Sequence, residues 1–329
     1  MIQRDEQSTR VFPPSQDDKP FFYRYINPTM TATPNFLGLE PAFSAADTSR
    51  YHILPVPYDG TSTWRKGADK GPAALLEAST QIEHYDIETD SEAFRRGIHT
   101  HAPLGEAGSP EAASPEALAE KVQAAVAGLL AAGRFPVVVG GEHSVSIGAI
   151  RAAAKAVPDL TVLQLDAHAD LRESYQGSTH NHACVMARAR EAAPIVQVGI
   201  RSADREELQG ADRNRIVFAE EIYRGPGWMK KAISHTTPNV YLTIDLDVFD
   251  PSVMPATGTP EPGGLSWYQV ISFLRMVVEW RQVAGFDVVE LCPNGYHHAH
   301  FTAAKLVYKL ISYHAKKESS WTEYKSRPV

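Results

Sequence analysis

A chain of 329 residues, 43% hydrophobic and 22% charged, has an ordinary globular composition and room for one large α/β domain or two smaller ones. Its formal net charge is −7, from 39 acidic against 32 basic residues with no long basic run, which argues against nucleic acid or an anionic membrane as a partner. No segment approaches the roughly 18 consecutive apolar residues of a membrane span. The opening stretch MIQRDEQSTRVFPPSQDDKP lacks the apolar core of a signal peptide, and two cysteines, Cys184 and Cys292, are too few for a disulfide framework. A reduced, cytoplasmic protein is expected.

Residues 1–45 are polar and proline-bearing without a sustained period, and are expected to form an extension that packs on the main domain or on a neighbouring subunit. From Tyr51 onward the pattern changes. The runs YHILPVP, FPVVVGG, LTVLQLD, PIVQVGI, RIVFAE, NVYLTID and QVAGFDVVE, bounded by Gly, Pro or Asp, predict buried strands of a parallel sheet. Between the first two, Ser114 and Pro115 make an N-cap and first-turn pair, Leu118, Val122, Val126 and Leu129 share one helical face, and Gly133 follows near the end. Further helices are predicted over about 144–157, 266–280 and 302–314. Strand alternating with helix predicts a layered α/β fold with right-handed crossovers. With no internal repeat and no linker, residues 46–329 read as one catalytic domain.

The charged residues fall at the C-terminal ends of these strands. VVVGG is followed by Glu142 and His143, TVLQL by Asp166, His168 and Asp170, VYLTI by Asp245 and Asp247, and FDVV by Glu290. In open parallel sheets that edge is where ligands bind. Taken singly, each has a bland reading: a strand-end Asp forms turns or caps helices, and a lone His is a hydrogen-bonded surface or core residue. Taken together, four Asp and two His from three strand ends would be an unpaired acidic cluster without a cation, with only Arg172 close in sequence to neutralise it. A metal site is the stronger reading. Six ligands exceed what one catalytic zinc takes and suit two cations about 3.5–4 Å apart that activate water. Oxygen-rich ligation without thiolate favours a hard ion such as Mn2+, which leaves Cys184 out.

Four ordered stretches, GGEHS at 140–144, DAHADLR at 166–172, DLDVFDPSVMPATGTPEPGGL at 245–265 and FDVVE at 286–290, resemble the ureohydrolase (arginase/agmatinase) family, agmatinases most of all. The resemblance covers about residues 50–315. It implies a three-layer α/β/α fold around an eight-stranded parallel sheet, a homotrimer or homohexamer, and hydrolysis of a small guanidino substrate to urea and an amine, with a place in polyamine biosynthesis. One manganese is implied on His143, Asp166, Asp170 and Asp245, and a second on Asp166, His168, Asp245 and Asp247. Nickel is the alternative if the substrate is guanidine. One departure is Met254, Pro255 and Ala256, where the family often has Ala-Pro-Gly before TGTP; it touches loop shape, not ligands.

The resemblance also assigns roles. Asp170 would help pass a proton to the leaving amine, and Glu290 would pair with the guanidinium, whose parallel N–H groups suit a carboxylate. His182 looks like the proton shuttle, a task that suits an imidazole titrating near pH 6.5, with His180 as the competing choice. His297, His298 and His300 read as a solvated loop. Agmatine is the expected substrate, with guanidinobutyrate, guanidine and arginine as alternatives; Glu173 would meet an amine tail and Arg172 a carboxylate tail. Two other classes remain open: a single-metal deacylase on a related fold, and a non-catalytic metal-binding homologue.

Overall fold

The computed structural model describes residues 34–326. Among them, eight strands form one sheet: β1 (Tyr51–Val56), β2 (Ile98–Thr100), β3 (Phe135–Gly140), β4 (Leu160–Leu165), β5 (Ile195–Ile200), β6 (Ile216–Phe218), β7 (Asn239–Asp245) and β8 (Gln282–Val289). Their spatial order is β2-β1-β3-β8-β7-β4-β5-β6, and every pairing is parallel. The helices are α1 (Pro41–Ser44), α2 (Gly71–Ser79), α3 (Pro115–Ala131), α4 (Ser146–Ala156), α5 (Val185–Ala192), α6 (Arg205–Gln209), α7 (Ala219–Arg224), α8 (Trp228–Ser234), α9 (Trp267–Trp280) and α10 (His297–Ser326).

Successive strand residues point to opposite faces, and both faces are covered. Tyr51, Ile53, Val137, Val139, Leu163, Leu165, Phe286 and Val288 pack with α2, α9 and α10. Leu54, Val56, Val138, Val162 and Val289 pack with α3, α4 and α5. The result is the three-layer α/β/α arrangement. Local signals act as read: the Ser114 hydroxyl accepts from Ala117 N–H to cap α3, Leu118, Val122 and Val126 are buried, and Gly133 at φ +68° closes the helix with Leu130 and Leu129 carbonyls accepting from residues 133 and 134. Among the described residues, no helix is long and apolar enough to cross a membrane.

Three details differ from the sequence reading. β2 was not foreseen, because its three residues IHT are too short and too polar to stand out from a turn. Of the expected extension, residues 1–33 lie outside the described residues; in residues 34–45, Phe36, Leu37 and Leu39 are buried in the core, and the Phe36 and Leu37 N–H groups donate to the Thr100 and Ser79 hydroxyls. The last helix starts five residues earlier than about 302 and runs to Ser326. His297, His298 and His300 therefore lie on its first turn rather than in a loop, although His297 and His298 are exposed as expected.

Two buried histidines make acid stability predictable. His52 Nδ1 lies 2.9 Å from His101 Nε2, and His314 Nδ1 lies 3.1 Å from the Tyr51 hydroxyl. Burial pushes each down to about 4, with His101 adding to it at His52, while at His314 Glu318 pulls upward against burial and Arg50. The unfolded chain takes up protons near pH 6.5 that these folded imidazoles refuse, so the stability they contribute rises with pH between about 4 and 6.5 and is lost on acidification through that window. His314→Gln should remove part of that contribution: the change in its urea midpoint from pH 7 to pH 5, measured against the parent's, should be shifted toward greater acid resistance.

Candidate functional site

The four central strands, β3-β8-β7-β4, end side by side, and each of the charged motifs follows one of them. Gly141, after β3, passes so close to the end of β1 that a Cβ would lie 2.0 Å from the Tyr58 carbonyl oxygen. Its N–H donates to Val56 O, and Glu142 N–H donates to Tyr58 O. The Glu142 carboxylate then caps the next turn, accepting from the Ser144 N–H at 2.8 Å and hydroxyl at 2.7 Å, and so presents His143 at the foot of α4.

His143 is buried, and its two ring nitrogens have different surroundings. Nε2 lies 2.8 Å from the Thr243 hydroxyl, which donates to Asp287 Oδ1 at 2.7 Å. A hydroxyl has one proton to give, so Thr243 accepts from Nε2–H and the ring's lone pair is on Nδ1. Nδ1 has no hydrogen-bond partner and faces Asp170 Oδ2 at 3.1 Å, Asp166 Oδ2 at 3.2 Å and Asp245 Oδ2 at 3.4 Å. A lone pair aimed at three carboxylates is repulsive unless a cation lies among them. A hydrogen-bonded second nitrogen is also the usual posture of a metal-ligating histidine.

Next to it, His168 Nδ1 lies 2.9 Å from Asp247 Oδ2 and 3.7 Å from Asp166 Oδ1. Two groups thus bring their ligand atoms within 4.8 Å of one another, His143 with Asp166 and Asp170, and Asp166 with His168 and Asp247, sharing Asp166. Backbone donors aim the acids: Asp245 Oδ1 accepts from Asp247 N–H and Asp247 Oδ1 from Ala167 N–H, which leaves each Oδ2 toward its histidine. Asp170 and Glu290 hold left-handed backbone, at φ +52° and +66°, a conformation that costs about 1–2 kcal/mol for an L-residue and concentrates at functional sites.

The electrostatics express the same excess of negative charge. Burial, with repulsion from neighbouring acids, pushes Asp170, Asp245 and Glu290 above the usual carboxylate range. Burial opposes charge on His143 and His168, yet the surrounding carboxylates outweigh it and raise both, while those imidazoles hold Asp166 low against its own burial. In the protein alone, protons supply the positive charge that a cation would bring.

His143, His168, Asp170, Asp245 and Glu290 line a cavity of about 210 Å³. Glu290 lines it and spends one oxygen accepting the His143 N–H at 2.8 Å. His182 lines it too, whereas His180 lies away from it, its ring 3.1 Å from Arg151 and 3.6 Å from Glu116. Burial, with the charge of His143 and His168 adding, pushes His182 down to about 4, so it rests neutral rather than half-protonated near neutrality. Glu173 does not line the cavity; it pairs with Arg188 and Arg190 on the surface. Arg172 does line it, but is already paired with Asp204 at 2.5 Å, lies 3.8 Å from Glu207, and sits 4.5 Å over the Tyr175 ring.

The sequence reading missed Thr61, Tyr175, Asp204, Thr243 and Asp287. Two carried a signal: Thr243 lies two residues before Asp245 on β7 and so shares its face, and Asp287 is an acid inside an apolar strand. Thr61, Tyr175 and Asp204 carried none, because they reach the site only through folding.

Residues 49–312 match the family model described as the arginase family. The chain belongs to that family. It is 42% identical over 285 residues to the N(1)-aminopropylagmatine ureohydrolase of Synechocystis sp., covering 84% of this chain and 93% of that one. It is 33% identical over 273 residues to the agmatinase of Pyrococcus horikoshii, covering 81% and 92%. Among solved structures, the agmatine ureohydrolase of Thermoplasma volcanium superimposes with a TM-score of 0.76 at 27% identity, covering 89% of this chain and 98% of that one. By family and by these relatives the chain is an agmatinase-type ureohydrolase.

The Thr243 hydroxyl fixes the tautomer of His143, and outer-shell changes of this kind typically cost roughly 10–100-fold in metal affinity. Thr243→Val should weaken divalent-cation binding by that factor in a competition titration against a fluorescent chelator, with the far-UV spectrum unchanged.

Proposed function

We propose that the chain is a two-manganese hydrolase that cleaves a guanidino group carried on a cationic alkylamine, with N(1)-aminopropylagmatine first and agmatine second. The convergence of carboxylates on the His143 lone pair, at the floor of a cavity with a net acidic mouth, carries this reading. His143, Asp166, Asp170 and Asp245 would hold one cation and Asp166, His168, Asp245 and Asp247 the other. When bound, the pair would lower the pKa of water toward neutrality.

The chain's own groups supply the rest. A guanidinium is a resonance-stabilised, poor electrophile, so it must be held and its leaving nitrogen protonated. Glu290 has one carboxylate oxygen beyond the His143 bond to accept from the guanidinium. Water adds across the carbon–nitrogen bond, its oxygen going to carbon and a proton to the departing amine. Asp170, in the ligand cluster, is placed to pass that proton on. His182, neutral and facing the cavity, is placed to exchange protons with bulk water.

The mouth supports the choice of tail. Asp204 and Glu207 set two carboxylates against the single guanidinium of Arg172, which they already occupy. A substrate ammonium finds acceptors there, whereas a substrate carboxylate would have to displace them. The relative at 42% identity bears the name of the longer substrate, whose tail carries two amines rather than one.

The test is urea release by the manganese-loaded protein on N(1)-aminopropylagmatine, agmatine, arginine, guanidinobutyrate, guanidinopropionate and guanidine. The two cationic-tailed compounds should have the highest kcat/KM, and metal content should be near two per chain; a preference for guanidinobutyrate, or one metal per active chain, would sink the reading. Glu290→Gln keeps an acceptor for His143 but removes the charge. Truncating one side of a charge-assisted pair typically costs about 2–5 kcal/mol, so kcat/KM should fall by on the order of a hundredfold or more with metal content unchanged. Asp166→Ala and Asp245→Ala should abolish turnover and lose at least one metal.

A further inference from the structure

The Glu142 carboxylate, buried beside His143, is not one of the groups that face the metal cluster. It accepts from the Ser144 N–H and hydroxyl and from the Thr61 N–H at 3.3 Å, and the Thr61 side chain is among the groups that favour its charged form against burial. In each of these bonds Glu142 is the acceptor, and it anchors the backbone of Thr61, a residue 121 positions away from His182. The Thr61 hydroxyl oxygen accepts from the His182 backbone N–H at 2.9 Å and lies 3.2 Å from His182 Nδ1. Both bonds link the same two residues, so one side chain fixes the position of the His182 backbone and the rotation of its ring.

We propose that Thr61, held by Glu142, is a positioning residue that sets the orientation and tautomer of His182. The hydroxyl has one proton. Given to the carboxylate, the stronger acceptor, it leaves the oxygen to accept from both His182 N–H and Nδ1–H. His182 Nε2 then carries the lone pair and is the atom left to exchange protons in the cavity. The Tyr175 ring stands edge-on to the imidazole, with centroids 6.3 Å apart. Glu142, Thr61 and His182 thereby form an acid–hydroxyl–imidazole series, the counterpart of Asp287, Thr243 and His143 on the neighbouring strands. In one series the free nitrogen faces the carboxylate cluster, and in the other it faces the substrate cavity.

This inference rests on the reading of His182 as proton shuttle, and the experiment separates the two. Thr61→Val keeps the shape and the backbone bond to Glu142 but removes the hydroxyl. It should lower kcat roughly ten- to a hundredfold, within the usual worth of acid–base help, with KM and metal content unchanged, and Thr61→Ser should restore most of the loss. His182→Ala should lower kcat by at least as much and respond to added imidazole. In the double variant the Thr61→Val loss should vanish, since the two act as a unit. In metal-free protein labelled with 15N-histidine, the signal lost in His182→Asn should report protonated Nδ1 in the parent and move toward protonated Nε2 in Thr61→Val. A Thr61→Val enzyme with full kcat, or a loss that persists undiminished in the His182→Ala background, overturns the role of Thr61. A harmless His182→Ala overturns the shuttle, and with it this inference.

Discussion

The constraint on which the structure depends is the crowding of Asp166, Asp170, Asp245, Asp247 and Glu290 around two imidazoles at the centre of a sheet covered on both faces. Withdrawing a carboxylate from water costs several kcal/mol even after relaxation, and like charges at this range repel further. Such a cluster disperses unless the backbone beneath it cannot move. Four adjacent strands, each hydrogen-bonded on both sides within an apolar sandwich, supply that stiffness. The cluster then selects its own remedy, a small divalent cation or bound protons.

Rigidity is visible in how the site atoms are held. Asp245 and Asp247 each give one oxygen to a backbone N–H two or more residues away, so the other points one way only. His143 is fixed on both nitrogens' behalf by a single bond to Thr243, because the Thr243–Asp287 bond leaves no other tautomer. The left-handed backbone at Asp170 and Glu290 is maintained by the bonds from Met186 and Ala187 N–H to Asp170 O, and from Glu290 N–H to Gly141 O. These bonds offset the local cost and fix where both carboxylates point.

The mouth follows different physics. Arg172, Asp204 and Tyr175 come from loops after β4 and β5, and their ion pair and ring contact lie where solvent screens them. An ion pair of that kind exchanges partners cheaply. The carboxylate–imidazole cluster is therefore rooted at the strand ends, while the mouth is built from loops.

Much of this was legible from residue order alone. Seven apolar runs foretold seven of the eight strands, because parallel strands buried on both faces must be continuously hydrophobic. Acids and histidines at strand ends foretold that these side chains would cluster, because the same edge of a parallel sheet collects them. What sequence could not state is adjacency. His143, Glu290, Asp245 and Asp166 follow the third, eighth, seventh and fourth strands, and only the crossovers make these strands neighbours. The same holds for side chains that act across long separations: Thr61 on His182, and Asp204 on Arg172. Glu173 shows the converse. It is next to Arg172 in the chain yet faces Arg188 and Arg190 on the surface, because both lie in the loop after β4, where the course of the loop and not a strand period sets side-chain direction. Residue chemistry and strand ends are local properties that a sequence carries; which strands lie together, and which way a loop side chain turns, are decided by packing the whole chain at once.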